Sequence, residues 1–166
     1  MVVAEQLGMI NGTQNSRAMD PIAHCNGSVA MAAASTVPFA LAVDDDPIIL
    51  MDICDILDTA GYRCNDADHG DAAKQLLHER AEEFTLLFSD VEMPGETDGF
   101  ALARYVAEHW PWIEIVIASG RRSPVQGEMP DKATFISKPY SAQLVHNHLR
   151  ERLPDGKKPD ALKQPA

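Results

Sequence analysis

The amino-acid sequence predicts an α/β fold, a doubly wound five-stranded parallel sheet with helices on both of its faces. Three observations predict this fold. Apolar runs alternate with segments of helical spacing across residues 38–152, a pattern that is typical of parallel sheets. Most of the strand-like runs are apolar enough to be buried. Polar side chains follow several of these runs directly, at the strand ends where such sheets bind ligands.

Five short runs predict the strands. The first is followed by carboxylates, the third ends in a carboxylate, the fourth ends in a hydroxyl, and the fifth is followed by a lysine. The second run is a weak, short strand. The predicted strands are residues 39–43, 63–66, 84–90, 113–119 and 133–137. We expect right-handed crossovers between them.

Apolar residues at helical spacing predict the helices that cover the sheet. The first helix should begin with Asp46 as N-cap and Pro47 at the first helical position, and Gly61 should end it. Three further helices are predicted over residues 71–80, 98–109 and 141–153. Prolines interrupt residues 121–129, which predicts a short or irregular helix there.

The 166 residues divide into three parts. Residues 1–37 predict a flexible N-terminal arm, residues 38–152 a single domain, and residues 153–166 a C-terminal tail. The formal net charge of −11 argues against nonspecific nucleic-acid binding, which needs clustered Lys and Arg. Three cysteines without metal-ligand spacing, together with the lack of a long apolar run, favour a cytoplasmic protein that does not insert into membranes.

Five side chains of complementary chemistry are predicted to meet at the carboxyl ends of the strands. They are Asp44, Asp45, Asp90, Ser119 and Lys138. Carboxylates placed side by side repel one another, so three of them together indicate a hard divalent cation such as Mg²⁺. The Lys138 ammonium and the Ser119 hydroxyl indicate that the same site also holds an anion, and a phosphoryl group suits both.

Four motifs follow the strands in order: "VDDD", "LLFSDVEMPGETDG", "IASG" and "FISKPY". In this order, they resemble the receiver domain of two-component response regulators over residues 38–152. We therefore expect the flavodoxin-like strand order 2-1-3-4-5. The resemblance implies phosphoryl transfer from a sensor histidine kinase or a histidine phosphotransfer protein, followed by a conformational signal to a further protein. Since only a short tail follows the last predicted helix, we expect a stand-alone receiver.

The resemblance assigns roles to the acidic residues. Asp90 is the expected phosphoacceptor, which attacks a phosphohistidine. Mg²⁺ is the expected cofactor, bound directly by Asp45 and Asp90, through a water molecule by Asp44, and by the backbone carbonyl oxygen of Glu92.

The resemblance also assigns roles at the fourth and fifth strands. Lys138 is expected to neutralise a phosphoryl oxygen and Ser119 to hydrogen-bond to the phosphoryl group. Pro139 matches the proline that follows this lysine in the family, where the peptide bond is usually cis. Phe135 matches an aromatic residue that turns inward on phosphorylation, so Phe135 and Ser119 form the expected switch.

The sequence departs from the family pattern near the expected phosphoryl group. The loop "MPGETDG" is one residue longer than its commonest form, and we expect Gly95 to accommodate the extra residue in a turn. Glu92 and Arg121 flank the site. Our hypothesis is that these two side chains bridge over the site and change the lifetime of the acyl phosphate.

Two other functions are compatible with parts of the pattern. A Mg²⁺-dependent phosphohydrolase with an aspartyl-phosphate intermediate carries a second acid where Glu92 lies, but the threonine that normally follows and a cap domain are lacking. A phosphate-independent binding module would not need the complete set of acids and lysine. The receiver interpretation implies autocatalytic phosphorylation and dephosphorylation only, without the substrate turnover of an enzyme.

Overall fold

The computed structural model describes residues 37–163, so the N-terminal arm predicted for residues 1–37 lies outside the described residues except for Val37. The strands are β1 (Phe39–Val43), β2 (Arg63–Ala67), β3 (Phe84–Asp90), β4 (Glu114–Ser119) and β5 (Thr134–Ser137). The helices are α1 (Pro47–Thr59), α2 (Gly70–Arg80), α3 (Gly99–His109), α4 (Ala142–Arg152) and α5 (Asp160–Lys163), with 3₁₀ turns at Ala81–Glu83 and Asp155–Lys157. Among the helices of residues 37–163, none has the length and hydropathy that a bilayer span requires.

The strands form a parallel sheet in the order β2-β1-β3-β4-β5, which confirms the predicted fold class. The register pairs Val43 at the end of β1 with Ser89 of β3, and Ser119 at the end of β4 with Ser137 of β5. These strands therefore end nearly level with one another. The residues that follow them meet at one edge of the sheet, which we call the carboxyl edge.

Side chains alternate between the two faces of the sheet, and helices cover each face. On β1, Leu41 and Val43 pack in one core layer, while Ala40 and Ala42 pack in the other. Apolar residues of α2 and α3 close the first layer, and those of α1, α4 and α5 close the second. Because both faces are buried, the central strands are apolar almost throughout, which is the sequence pattern of strands in a parallel sheet.

Two helices leave the carboxyl edge at capping aspartates; Asp46 was predicted as an N-cap from the sequence, and Asp98 was not. Asp46 Oδ1 accepts a hydrogen bond from the backbone N–H of Ile48 at 2.9 Å, and Pro47 follows at the first helical position. Asp98 Oδ1 accepts from the N–H of Ala101 at 2.7 Å. Each cap gives a partner to a backbone donor that has none within its helix. The caps thereby fix where α1 and α3 begin relative to the strand ends.

The connection between β4 and β5 forms turns and, in the chain as described, contains no α-helix. Pro124 and Pro130 lack the backbone N–H that a helix would use, and Gly127 lies in the left-handed region at φ +89°. The Glu128 carboxylate holds the segment, since its Oε2 accepts from the N–H of Val125 at 2.9 Å. The segment is thus more irregular than the short helix that the sequence allowed.

The C-terminal segment differs from the predicted tail, because its described part, residues 153–163, folds against the domain. Leu153 and Leu162 are buried in the same core layer as α1. Lys157 Nζ pairs with Glu114 Oε1 at 2.5 Å, at the amino end of β4. The two leucines are separated by Pro, Gly and charged residues, so no helical or strand period revealed their burial in the sequence.

Replacing Leu162 with Ala should lower the free energy of unfolding by about 2–3 kcal/mol, because removing a buried leucine side chain leaves a cavity. Urea unfolding followed by circular dichroism measures the change. The exposed Lys163→Ala is the control and should stay within about 0.5 kcal/mol of the parent protein. Equal stability of Leu162→Ala and the parent would contradict the packing of α5.

Candidate functional site

Four strand ends place polar side chains at the carboxyl edge of the sheet. Asp44 follows β1, Asp90 ends β3, Ser119 ends β4 and Lys138 follows β5. Asp44, Asp90 and Ser119 are only 4%, 5% and 1% exposed. Buried polar groups of this kind need hydrogen-bond or ion-pair partners. The contacts that they make with one another therefore determine the structure of the site. The structure brings these four residues together, and Asp45 lies beside them with an exposed side chain.

The Lys138 ammonium joins two of the strand ends. Its Nζ donates to Asp44 Oδ2 at 2.8 Å and to Asp90 Oδ1 at 2.7 Å. These partners are 94 and 48 positions away in the sequence, so the sheet is what brings them together. The peptide bond from Lys138 to Pro139 is cis, as the resemblance implied. The ammonium offsets the repulsion between two buried carboxylates.

Asp44, Asp45 and Asp90 form a cluster of carboxylates that suits a divalent cation. One oxygen from each lies within 4.8 Å of the others. Such a set fits Mg²⁺, which prefers hard oxygen ligands and keeps several of its waters. Asp44 Oδ1 accepts the N–H of Asp46 at 2.9 Å, and its Oδ2 accepts from Lys138. Since both Asp44 oxygens already accept hydrogen bonds from the protein, its position suits the water-mediated contact that the sequence analysis expected.

The electrostatic balance of the site also favours an added cation. Burial raises the pKa of the Asp90 carboxyl above its ordinary value; the Lys138 ammonium opposes this rise, and the Asp44 carboxylate adds to it. Burial alone would lower the pKa of Lys138, but its bonds to Asp44 and Asp90 outweigh burial, so the pKa is raised. Lys138 therefore stays charged at neutral pH, yet one ammonium faces two buried carboxylates. A divalent cation would supply the missing positive charge.

The Ser119 hydroxyl is held between the backbone and the Glu92 side chain. Its Oγ accepts from the N–H groups of Arg121 and Arg122 at 3.3 and 3.0 Å, and it donates to Glu92 Oε2 at 3.5 Å. Within residues 37–163, no hydrogen bond or ion pair joins Glu92 to Arg121, so the hypothesised bridge between these side chains is not formed. Instead, Glu92 accepts the hydrogen bond that the Ser119 hydroxyl donates.

Two residues with expected roles lie around this centre. The Glu92 backbone N–H lies near enough to the Asp90 carboxyl to act against the rise of its pKa. The role expected of the Glu92 carbonyl oxygen stays a prediction. Phe135 in β5 is half-buried and packs against the core layer of α2 and α3. Its role as a switch likewise stays a prediction.

The loop between β3 and α3 is closely packed against Asp90. Gly95 has a φ of +103°, a left-handed conformation that suits the turn we expected from the extra residue. Gly99 starts α3 so near the sheet that a Cβ there would lie 2.0 Å from the Asp90 carbonyl oxygen. The lack of a side chain at Gly99 therefore allows α3 to approach the backbone of Asp90.

Thr97 in this loop is a residue that the sequence analysis missed. It is 5% exposed, and its hydroxyl bonds to Asp71 and Lys74 of α2. The extra length of the loop was the one signal that pointed to this region. Nothing in the residue spacing indicated that the Thr97 side chain is buried.

Comparisons with known proteins agree with this fold and identify a family. A family model described as the response regulator receiver domain matches residues 40–150. The two-component response regulator ARR18 of Arabidopsis thaliana is 32% identical over 108 residues, which cover 64% of this chain and 17% of that protein. The sensor kinase CckA of Brucella abortus is 29% identical over 116 residues, which cover 68% of this chain and 12% of that protein. The structure of chemotaxis protein CheY4 of Vibrio cholerae aligns with a TM-score of 0.62 at 24% identity, over 70% of this chain and 99% of that one.

The matches to curated proteins are partial. The chain spans only 17% of ARR18 and 12% of CckA, so the activities and partners of those whole proteins do not transfer to it directly. The likeness to CheY4 concerns the fold.

Substituting Gly99 with Ala should destabilise the protein by about 3 kcal/mol, because the added Cβ would overlap backbone atoms of Asp90 and Val91. Gly156→Ala is the matched control, since no atom lies within 4 Å of a Cβ at that position. Its stability should change by less than about 0.5 kcal/mol. Urea unfolding compares the two variants. Equal urea midpoints for Gly99→Ala and Gly156→Ala would show that α3 does not pack closely against the backbone of Asp90.

Proposed function

Because the chain belongs to the response regulator receiver domain family, we propose that it accepts a phosphoryl group on Asp90 and signals its phosphorylated state to a protein partner. The observation that carries the proposal is the contact of the Lys138 ammonium with both Asp44 and Asp90, at 2.8 and 2.7 Å. A nucleophilic carboxylate, a cluster of acidic oxygens and an ammonium are components that phosphoryl transfer to a protein side chain requires.

In the proposed reaction, an Asp90 carboxylate oxygen attacks the phosphorus of a phosphohistidine on the donor protein. A bond forms between this oxygen and phosphorus, while the bond from phosphorus to the imidazole nitrogen breaks. The electron pair of the broken bond stays with the imidazole. Such a transfer depends mainly on positioning and on neutralising charge, and the buried, fixed contacts of Asp90 provide the positioning.

Lys138 and Ser119 act on the transferred oxygens. Lys138 now donates to Asp90 Oδ1, and in the product it would donate to a phosphoryl oxygen as well. The Ser119 hydroxyl would turn from Glu92 toward the phosphoryl group, because a doubly charged acceptor attracts its proton more strongly than one carboxylate oxygen at 3.5 Å.

The proposed Mg²⁺ ligands are Asp45 and Asp90 directly, Asp44 through a water molecule, and the Glu92 carbonyl oxygen. When bound, Mg²⁺ supplies positive charge that offsets the charge on the transferred oxygens. The three carboxylates with oxygens within 4.8 Å of one another support this assignment.

We propose a sensor histidine kinase or a histidine phosphotransfer protein as the phosphoryl donor. Family membership supports this choice. Nucleic acid is an unsuitable partner for a chain with a net charge of −11. A cytoplasmic location is part of the same proposal, since the sparse cysteines suit a reducing compartment. The protein's own chemistry is then limited to gaining and losing one phosphoryl group.

The proposed signal is a shift between two conformations that phosphorylation favours unequally. Phe135 would turn inward as the Ser119 hydroxyl moves toward the phosphoryl group. In this chain the responsive face cannot include a helix between β4 and β5, because that segment forms turns. We therefore assign the responsive face to that segment together with β5 and α4.

Intact-mass spectrometry after treatment with acetyl phosphate tests the phosphoacceptor. The parent chain should gain one phosphoryl mass only when Mg²⁺ is present, and Asp90→Asn should gain none. Asp46→Asn is the control, since asparagine caps a helix as well as aspartate does, and it should still be phosphorylated. A phosphoryl mass on Asp90→Asn, or one that forms equally without Mg²⁺, would refute the proposal.

Removing the Glu92 carboxylate should speed phosphorylation by acetyl phosphate, because this group competes for the Ser119 hydroxyl and repels the incoming anion. We expect Glu92→Ala to react about two- to fivefold faster, the scale of an exposed charge interaction. Glu96→Ala, an exposed acid in the same loop, should react at the parent rate.

The lifetime of the acyl phosphate in these variants tests the hypothesis about water access. Glu92→Ala and Arg121→Ala should each alter the dephosphorylation rate, measured as the loss of the phosphoryl mass after the donor is removed. Unchanged lifetimes in both variants would end the hypothesis that these side chains control access to the phosphoryl group.

A further inference from the structure

Thr97 forms a polar bridge between the loop after β3 and the start of α2. Its hydroxyl donates to Asp71 Oδ1 at 2.8 Å and accepts from Lys74 Nζ at 2.8 Å. Thr97 is only 5% exposed, so these bonds satisfy a hydroxyl that is removed from water. We call these three residues the Thr97 bridge.

The backbone beside the bridge is packed closely as well. Gly70 is the first residue of α2, and a Cβ there would lie 2.5 Å from the Thr97 carbonyl oxygen and 2.8 Å from its Cγ2. The start of α2 therefore contacts both the backbone and the side chain of Thr97. The loop cannot move away from α2 without breaking the bridge, or toward α2 without a steric clash.

Lys74 extends the bridge to α3. Its Nζ lies 4.8 Å from the centre of the Tyr105 ring and 3.9 Å from Asp71 Oδ1. A carboxylate, a hydroxyl and the face of an aromatic ring thus surround the ammonium. The bridge joins α2, the loop and α3 at one point.

Packing alone does not explain a hydroxyl at this position. Valine has nearly the shape of threonine, and it would fill the space without a polar group that needs partners. Apolar contacts have little directional preference, whereas two hydrogen bonds to one oxygen fix its direction. The Thr97 hydroxyl therefore determines the orientation of the backbone that carries it.

The loop held by the bridge begins at Asp90. The Gly99 N–H donates to the Val91 carbonyl oxygen at 3.0 Å, and a Cβ at Gly99 would lie 2.0 Å from the Asp90 carbonyl oxygen. Thr97 lies between Val91 and Gly99 in the sequence. The backbone of Glu92 is consequently part of a loop that is held by the bond between Val91 and Gly99 and by α2 at Thr97.

We propose that Thr97 is a positioning residue for the cation site: the Thr97 bridge holds the loop so that the Glu92 carbonyl oxygen faces the bound Mg²⁺. The inference rests on the proposed function, since it takes Mg²⁺ as the cation. Thr97 acts through the loop backbone and touches neither the cation nor the phosphoryl group.

Isothermal titration calorimetry of the full chain with MgCl₂ alone tests this role without phosphorylation. Thr97→Val removes both hydrogen bonds, and it should weaken Mg²⁺ binding by about tenfold, the lower end of the range for groups that orient metal ligands. Thr97→Ser keeps the hydroxyl and should restore the parent affinity. Thr85→Val is the matched control at the opposite end of β3, where the hydroxyl bonds to the Phe39 carbonyl oxygen at 3.4 Å, and it should not change the affinity.

Urea unfolding of the same variants separates positioning from stability. If Thr97→Val lowers the urea midpoint and binds Mg²⁺ like the parent, the role is structural and the proposal is overturned. Should Thr97→Val fail to fold, Asp71→Ala tests the same bridge, because Asp71 is exposed and its carboxylate accepts the hydrogen bond from the Thr97 hydroxyl. Glu96→Ala is its control, since it also removes one exposed negative charge. An Asp71→Ala affinity equal to that of Glu96→Ala would also overturn it.

Mg²⁺ binding and phosphorylation of the parent chain distinguish a failure of the positioning role from a failure of the proposed function. A parent chain that binds no Mg²⁺ and accepts no phosphoryl group refutes both. A parent chain that does both, with Thr97→Val binding Mg²⁺ equally well, refutes the positioning role alone.

Discussion

The rest of the site depends on the contact of one ammonium with two buried carboxylates. Without Lys138, Asp44 and Asp90 would face each other at a place where little water can screen their repulsion. The strand order makes the contact possible, since β1 and β3 are neighbours and β5 lies two strands from β3. The remaining negative charge is what makes the cluster with Asp45 suitable for a cation.

Most of the fold and the centre of the site could be predicted from the sequence because both follow from simple rules. Strands buried on both faces must be apolar, so polar residues at their ends are conspicuous. A parallel sheet brings those ends to one edge. Asp44, Asp90, Ser119 and Lys138 could therefore be grouped without knowledge of any distance between them. The turns between β4 and β5 were partly foreseen, because proline has no N–H to donate to a helix.

The other features depend on contacts that no short-range pattern encodes. The burial of Leu162 follows from a fold-back of the chain through Pro- and Gly-containing turns, which leave no period in the sequence. The contact of Ser119 with Glu92 depends on the direction of one exposed side chain. Thr97 is buried by an irregular loop, and its partners Asp71 and Lys74 belong to another element. Such contacts are set by the packing of loops on helices, which residue types alone do not determine.

Amide chemical shifts recorded while MgCl₂ is added to the isotopically labelled chain test the central claim most directly. If the cluster at the carboxyl edge is a cation site, saturable shifts should centre on Asp44, Asp45, Asp90 and Glu92. An absence of saturable shifts would contradict the account. Shifts that centre instead on the exposed acids of α1, Asp52, Asp55 and Asp58, would contradict it equally.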